Sequence, residues 1–83
     1  AYSILNGEYE IIEAEIIDTS ELINKELKNS NLPDEIRIGA ILRGEEVIIP
    51  RSNFIFKNED IVVFLAKKDF LQVVENMFRL SSI

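Results

Sequence analysis

The stretch from Ile36 to Phe64 constrains the fold more than any other part of the chain, because two turn signals divide it into three apolar runs. Gly44 and Glu45 suit a two-residue hairpin loop, since glycine at the first loop position permits the positive φ of a type II′ turn. Pro50 has no backbone N–H to donate and should end the second strand, and residues 58–60 supply the second turn. The stretch therefore predicts a β meander, in which three antiparallel strands are neighbours in chain order.

The hairpin loop also fixes which side chains share a face of the sheet. Across the two strands the loop pairs Arg43 with Glu46, Leu42 with Val47, Ile41 with Ile48 and Gly39 with Pro50. One face then carries the apolar side chains expected in the core: Ile38, Ala40, Leu42, Val47 and Ile49. The opposite face carries Arg37, Gly39, Ile41, Arg43, Ile48 and Pro50. Because this second face mixes charged with aliphatic side chains, we expect it to meet a partner or a ligand.

The segments on either side of the meander complete a small α+β domain of β-α-β-β-β-α type with a mixed or antiparallel sheet. Alternating apolar and acidic residues from Glu8 to Ile17 predict the first strand. Asp18 opens a group of possible N-caps, which predicts a short helix after this strand. Residues 61–65 are apolar at consecutive positions and predict a central strand covered on both faces. Asp69 is expected to cap a C-terminal helix that covers one sheet face.

The composition narrows the classes of function. The 83 residues include no cysteine and no histidine, which removes disulfides, thiolate nucleophiles and histidine acids or bases. The net charge of −6 argues against nucleic acid, which binds to clustered basic surfaces. No apolar run approaches the roughly 20 residues that cross a bilayer. We also expect no enzyme, since neither a Gly-rich phosphate loop nor a nucleophile elbow is present.

We divide the chain at residue 8. Residues 1–7 have neither a clear period nor a helix cap, and we expect them to connect to an upstream region, with the chain being a fragment or a processed product. Residues 8–83 form the domain. A domain of this size buries only about 60–65% of the surface of its unfolded chain, and 47% of the residues are hydrophobic. We therefore expect the domain to form dimers.

The order of these signals resembles the C-terminal domain of RCK proteins, also called the TrkA-C domain. The matching pieces are Ser-Glu-Leu-Ile at 20–23, Leu-Pro at 32–33, Ile-Leu-Arg-Gly-Glu at 41–45, Val-Ile-Ile-Pro at 47–50, and Asp60 before Val-Val-Phe. The resemblance covers residues 8–80. The family usually has glycine where this chain has Asn24 and Glu59. Asparagine tolerates left-handed backbone angles, and at the second place we expect Asn58 to carry the positive φ instead.

This resemblance implies a regulatory domain and not an enzyme. RCK C-terminal domains form dimers and occur in cytoplasmic subunits that control potassium uptake systems and channels, and in other bacterial ion and solute transporters. In some members the dimer interface binds cyclic di-AMP, while others have different ligands or none recognised. The resemblance therefore implies a cytoplasmic homodimer, a small effector such as cyclic di-AMP, and a membrane transporter or channel subunit that holds the chain at the membrane.

The resemblance places the ligand-binding positions at Leu22, Ile23, Ile36, Arg37 and Pro50. Arg37 suits a phosphate donor, but it equally suits a solvated strand arginine paired with a carboxylate. The two aliphatic side chains at 22 and 23 also suit the core, and the proline suits a strand end. Glu13 and Glu15 have the chemistry of a hard-cation site, but two carboxylates on one strand face are usually just solvated.

Three hypotheses follow. The favoured one is a regulatory domain that binds a small ligand at a dimer interface. The alternative is a purely structural dimerisation domain in which the face with Arg37 and Ile41 packs against its copy, so that Ile41→Asp should separate the dimer. The third is a small enzyme, which would need a carboxylate with a strongly raised pKa in a pocket.

Overall fold

The computed structural model describes residues 2–80. Within them, the strands and the α-helix are β1 Tyr2–Ile4, β2 Tyr9–Glu15, β3 Ile36–Arg43, β4 Glu46–Ile48, β5 Ile61–Lys67, α1 Leu71–Met77 and β6 Arg79–Leu80. The strands form one sheet in the order β1-β2-β5-β3-β4, with β6 also beside β2, and every pair is antiparallel. The predicted α+β class is confirmed. The structure adds β1, which lies in the segment that we expected only to connect.

The central position of β5 is confirmed, but the meander is wrong. β5 pairs with β2 along one edge and with β3 along the other, so it is not a neighbour of β4. A strand with apolar side chains on both faces buries more surface between two long strands than beside the three-residue β4. In the β3–β4 hairpin, the predicted pairs at residues 41–43 are confirmed. β4 ends at Ile48, however, so the predicted pair of Gly39 with Pro50 is absent.

A β-bulge at Gly39 reverses the predicted faces of β3 from Ala40 onward. The pairing with β5 shifts between Ile38 and Ala40, so Ile38 faces the core before the bulge and Ile41 faces it afterwards. Ile41 is fully buried, whereas Val47 and Ile49 are 66% and 73% exposed. The predicted core face is therefore wrong for Ala40, Leu42, Val47 and Ile49. Because Ile41 lies in the core of its own chain, Ile41→Asp would test folding and not dimerisation.

The core lies between one face of the sheet and a layer made of α1 and the long loops. Its buried apolar side chains are Ile12, Ala14, Ile16, Leu22, Ile36, Ile41, Phe56, Val62, Phe64, Ala66, Val74 and Phe78. The rings of Phe64 and Phe78 stack with centroids 5.3 Å apart, and the predicted cover by the C-terminal helix is confirmed. Asp69 does not cap this helix, because a 3-10 helix at Lys68–Phe70 moves the N-cap position to Phe70.

Turns replace the short helix predicted after the first long strand. Residues 21–24 form turns and Leu27–Asn29 form one 3-10 helix. The N–H of Asn24 donates to the carbonyl of Phe56 at 2.9 Å, and the N–H of Phe56 donates to the carbonyl of Lys25 at 3.1 Å. Because these bonds to the extended segment 52–56 use backbone groups that a helix would pair internally, the helix does not form.

Both positions at which the family usually has glycine adopt left-handed backbone angles. φ is 66° at Asn24 and 72° at Glu59. The expectation that Asn58 would carry the second positive φ is therefore wrong. The N–H of Glu59 donates to the carbonyl of Ile16 at 2.8 Å, and the N–H of Ile16 donates to the carbonyl of Asp60, also at 2.8 Å. These two bonds fix the turn against the end of β2.

A buried ion pair fastens the β3–β4 hairpin to the turn before β5. The Nε and Nη2 atoms of Arg43 each donate to the carboxylate of Asp60 at 2.8 Å, and the side chain of Asp60 is only 1% exposed. The N–H of Lys57 donates to the same carboxylate at 2.9 Å. The hydrogen bonds that Arg43 donates to Asp60 raise the pKa of its guanidinium above the ordinary value, so the guanidinium stays charged. Glu46 faces Arg43 in the register, but the guanidinium binds Asp60.

Candidate functional site

Two of the five predicted site residues border one groove at the start of β3. Ile36 is buried and the adjacent Arg37 is exposed. The groove has a volume of about 290 Å³ and is also lined by Leu27, Ser30, Leu32, Pro33, Asp34 and Ile38. These six residues were missed in the sequence analysis. The only signal for them was the Leu-Pro step at 32–33, which served the family resemblance and was not tied to the site.

The other three predicted site residues lie elsewhere. Leu22 is buried in the core and lines a separate groove with Ser20 and Met77. Ile23 is half-buried and packs against the core. Pro50 is half-buried just after the end of β4. Within one copy of the chain, the structure thus brings Ile36 and Arg37 together but leaves these three outside their groove.

The groove runs along an unpaired part of a strand edge. β4 covers only residues 41–43 of β3, so in the described part of the chain no strand lies beside the same edge at residues 36–40. The wall of the groove is mainly aliphatic, from Leu27, Leu32 and Pro33. The hydroxyl of Ser30 donates to the carbonyl of Leu27 at 2.7 Å, so its proton is not available to a ligand. The groove therefore offers an apolar wall with charged groups at its rim.

Arg37 supplies the cationic group at that rim. Among the side chains that the structure describes, residues 2–78, none forms an ion pair or a hydrogen bond with its guanidinium. A guanidinium presents planar N–H donors that match a phosphate or a carboxylate in two-point contacts. The combination of this donor with an aliphatic wall suits an anionic ligand that also has apolar surface.

Arg37 also borders the open side of the sheet, which we call the outer face. Its members are Tyr2 and Ile4 of β1, Tyr9, Ile11, Glu13 and Glu15 of β2, Arg37, Ala40 and Leu42 of β3, Val47 of β4, and Ile61, Val63, Leu65 and Lys67 of β5. Two shallow depressions there, of about 420 and 380 Å³, share Ile4, Arg37 and Leu65 in their linings. Arg37 therefore stands where the groove and the outer face meet.

Glu13 and Glu15 both lie on the outer face, and no group of three or more acidic side chains within residues 2–80 is placed to hold a metal ion. In the same range, no helix has the length and apolar character needed to cross a membrane.

Comparisons with known proteins agree on a family. The sequence profile of the TrkA-C domain matches residues 11–79. The chain is 38% identical over 80 residues to the Trk system potassium uptake protein TrkA of Azorhizobium caulinodans, a match that covers 96% of this chain and 18% of that protein. It is also 38% identical over 64 residues to a TrkA homolog of Archaeoglobus fulgidus, covering 77% of this chain and 15% of the homolog. The chain thus spans less than a fifth of the length of these relatives.

A solved structure described as an RCK domain with cda has the same fold. The two superpose with a TM-score of 0.73 at 17% sequence identity, covering 83% of this chain and 97% of the other. At this identity the likeness establishes the fold alone.

Proposed function

Because this chain belongs to the TrkA-C domain family, a family of regulatory domains and not of enzymes, we propose that it is the effector-binding regulatory domain of a Trk-type potassium uptake system. The observation that carries the proposal is the family match over residues 11–79, in a chain that is 38% identical to a potassium uptake protein. The proposal includes a cytoplasmic homodimer, held at the membrane by a transporter or channel subunit.

The groove at Arg37 is the part of the surface that best suits the effector. A nucleotide such as cyclic di-AMP presents flat apolar bases and anionic phosphates. The aliphatic wall from Leu27 to Pro33 suits a base, and the exposed guanidinium suits a phosphate. The proposal retains three further ligand-binding positions that the family resemblance implies: Leu22, Ile23 and Pro50. Because they lie outside the groove within one chain, any contact they make with the same ligand needs a second copy.

Ligand-induced stabilisation tests the effector proposal. A ligand at 100 times its Kd stabilises the folded state by about 2.7 kcal/mol, which for a chain of this length raises Tm by on the order of 10 °C. We expect cyclic di-AMP, or another nucleotide in a panel tested beside it, to give such a shift in thermal unfolding of the purified chain. Arg37→Gln should remove most of the shift, because it takes away the phosphate donor.

Arg51→Gln is the matched control. Arg51 is also exposed but does not line the groove, so this variant should keep the full shift. If no nucleotide in the panel changes the Tm of the unmodified chain, the nucleotide version of the proposal is wrong. The better description would then be a purely structural dimerisation domain, which the half-exposed apolar outer face supports.

A further inference from the structure

Two loop segments outside the sheet pair with each other and form a surface that we call the basic ribbon, residues 24–28 and 51–57. Four backbone hydrogen bonds of 2.7–3.1 Å join the two segments. Arg43 anchors the second segment, since its Nη2 donates to the carbonyl of Ile55 at 3.0 Å and its guanidinium lies 5.0 Å from the centre of the Phe54 ring. The ribbon therefore has a fixed shape, although it contains no regular strand.

The ribbon concentrates positive charge in an otherwise acidic chain. It holds four of the nine basic residues and one of the fifteen acidic residues, which leaves five basic and fourteen acidic residues for the rest of the chain. Its cations are all exposed: Lys25, Lys28, Arg51 and Lys57. Its one carboxylate, Glu26, lies 3.7 Å from the ammonium of Lys28. The surface of the ribbon is thus opposite in sign to the net charge of −6.

An exposed isoleucine lies among these cations. Ile55 is 44% exposed, whereas the next residue, Phe56, is fully buried, as the alternation of an extended segment requires. Ile55 pairs with Glu26 across the ribbon. Lys57 lies two residues further along the same segment, and Lys28 lies diagonally across from Ile55, each at about 7 Å. The ribbon therefore presents an aliphatic side chain with a cation on either side.

We propose that the basic ribbon docks an acidic protein segment in which carboxylates flank an aliphatic side chain. The carboxylates meet the exposed cations, and the aliphatic side chain covers Ile55. Six or so extended residues of the partner span the ribbon, which is about 20 Å long. Of the residues in the ribbon, only Leu27 also lines the groove at Arg37. The inference thus goes beyond the proposed function and does not depend on the effector.

The distribution of charge favours a protein segment over an anionic membrane as the partner. Glu21 and Glu59 are both exposed and lie within three residues of the ends of the ribbon, so the positive patch is narrow. A flat anionic bilayer would also approach these two carboxylates and others among the fourteen acidic residues outside the ribbon. A narrow protein segment reaches the cations without that repulsion.

Fluorescence anisotropy with synthetic peptides tests the proposal. One labelled peptide of about nine residues has a leucine at the centre of a run of glutamates, long enough to span the ribbon, and a second has serine in place of the leucine. We expect the purified chain to bind the leucine peptide about fivefold more tightly than the serine peptide, because only leucine buries apolar surface against Ile55. Added salt should weaken both, since exposed charges are screened.

Variants of the ribbon assign the binding to its charges. Lys28→Gln/Lys57→Gln should weaken binding of the leucine peptide by about tenfold. Glu26→Gln, which removes the only carboxylate of the ribbon, should strengthen it by about threefold. Lys67→Gln/Lys68→Gln is the matched control, because it removes two charges from exposed lysines outside the ribbon, and it should bind as the wild type does.

Three results would overturn the proposal. The first is that neither peptide binds or that both bind equally, and the second is that the two lysine pairs lose the same affinity. The third involves vesicles that contain phosphatidylserine: if the chain binds them through Lys28 and Lys57 and binds neither peptide, the ribbon recognises lipid headgroups. Each variant is first checked by circular dichroism, and all the substituted side chains lie at the surface or are half-buried. None of these results alters the expected effect of Arg37→Gln on nucleotide binding, so the two proposals fail separately.

Discussion

Glu59 adopts a left-handed backbone conformation, with φ of 72°, in the turn that leads into β5. This conformation costs a side-chain-bearing L-residue about 1–2 kcal/mol relative to glycine, although glycine also raises the entropy of the unfolded chain. We expect Glu59→Gly to increase the free energy of unfolding by about 0.5–1 kcal/mol and to raise Tm by a few degrees. Thermal unfolding followed by circular dichroism measures this change.

Glycine substitutions at two other positions, Asn58 and Asn24, separate relief of backbone strain at Glu59 from other effects of introducing glycine. Asn58 does not have a positive φ, so Asn58→Gly should leave stability unchanged or lower it slightly. Asn24 has a positive φ of 66°, but asparagine tolerates it, so Asn24→Gly should gain less than Glu59→Gly. A destabilised Glu59→Gly protein would contradict the assignment of backbone strain to this turn.

At the scale of elements, the bulge in β3 decides which side chains belong to the core. Ile41 is fully buried beside Val62, whereas its neighbour Leu42 is half-buried on the outer face. We expect Ile41→Ala to lower the free energy of unfolding by about 3 kcal/mol, since it leaves a cavity in the core. Leu42→Ala should cost only about 1 kcal/mol, because partly exposed side chains lose less on truncation. Urea unfolding of both variants gives the comparison, and equal losses would contradict the bulge.

The elements also mark how far sequence patterns predict this fold. The first long strand, the hairpin pairs and the central position of β5 follow from local alternation and turn chemistry. The bulge at Gly39 does not follow from these local rules, because a one-residue shift leaves the apolar pattern of the sequence unchanged while it exchanges the core and outer faces of the strand. The missing short helix was likewise beyond local rules, since backbone bonds to the distant segment 52–56 replaced it.

The candidate site was predicted only in part for the same reason. Ile36 and Arg37 are adjacent in sequence, so their meeting at one groove needs no tertiary information. The opposite wall comes from Leu27 to Asp34, and its position depends on how the loop after β2 pairs with residues 52–56. No periodicity in the sequence encodes that contact. The family resemblance supplied the regulatory role, whereas the structure supplied the groove.

At the scale of the whole molecule, coupling between folding and dimerisation has a thermodynamic signature. If the chain forms the proposed homodimer, a tenfold increase in protein concentration favours the folded dimer over two unfolded chains by about 1.4 kcal/mol. This amounts to about 0.7 kcal/mol per chain, so Tm should rise by roughly 3–5 °C per tenfold concentration. Calorimetry at protein concentrations from 10 to 1,000 times a low micromolar starting value measures this change of Tm with concentration.

A constant Tm would contradict the homodimer, because a monomer unfolds at a Tm that does not depend on concentration. The chain spans only 18% of its Azorhizobium relative, so another part of a longer protein is the competing occupant of the outer face. In that case the isolated chain would show the same Tm at every concentration, and the exposed apolar surface would be an interface between domains of one polypeptide.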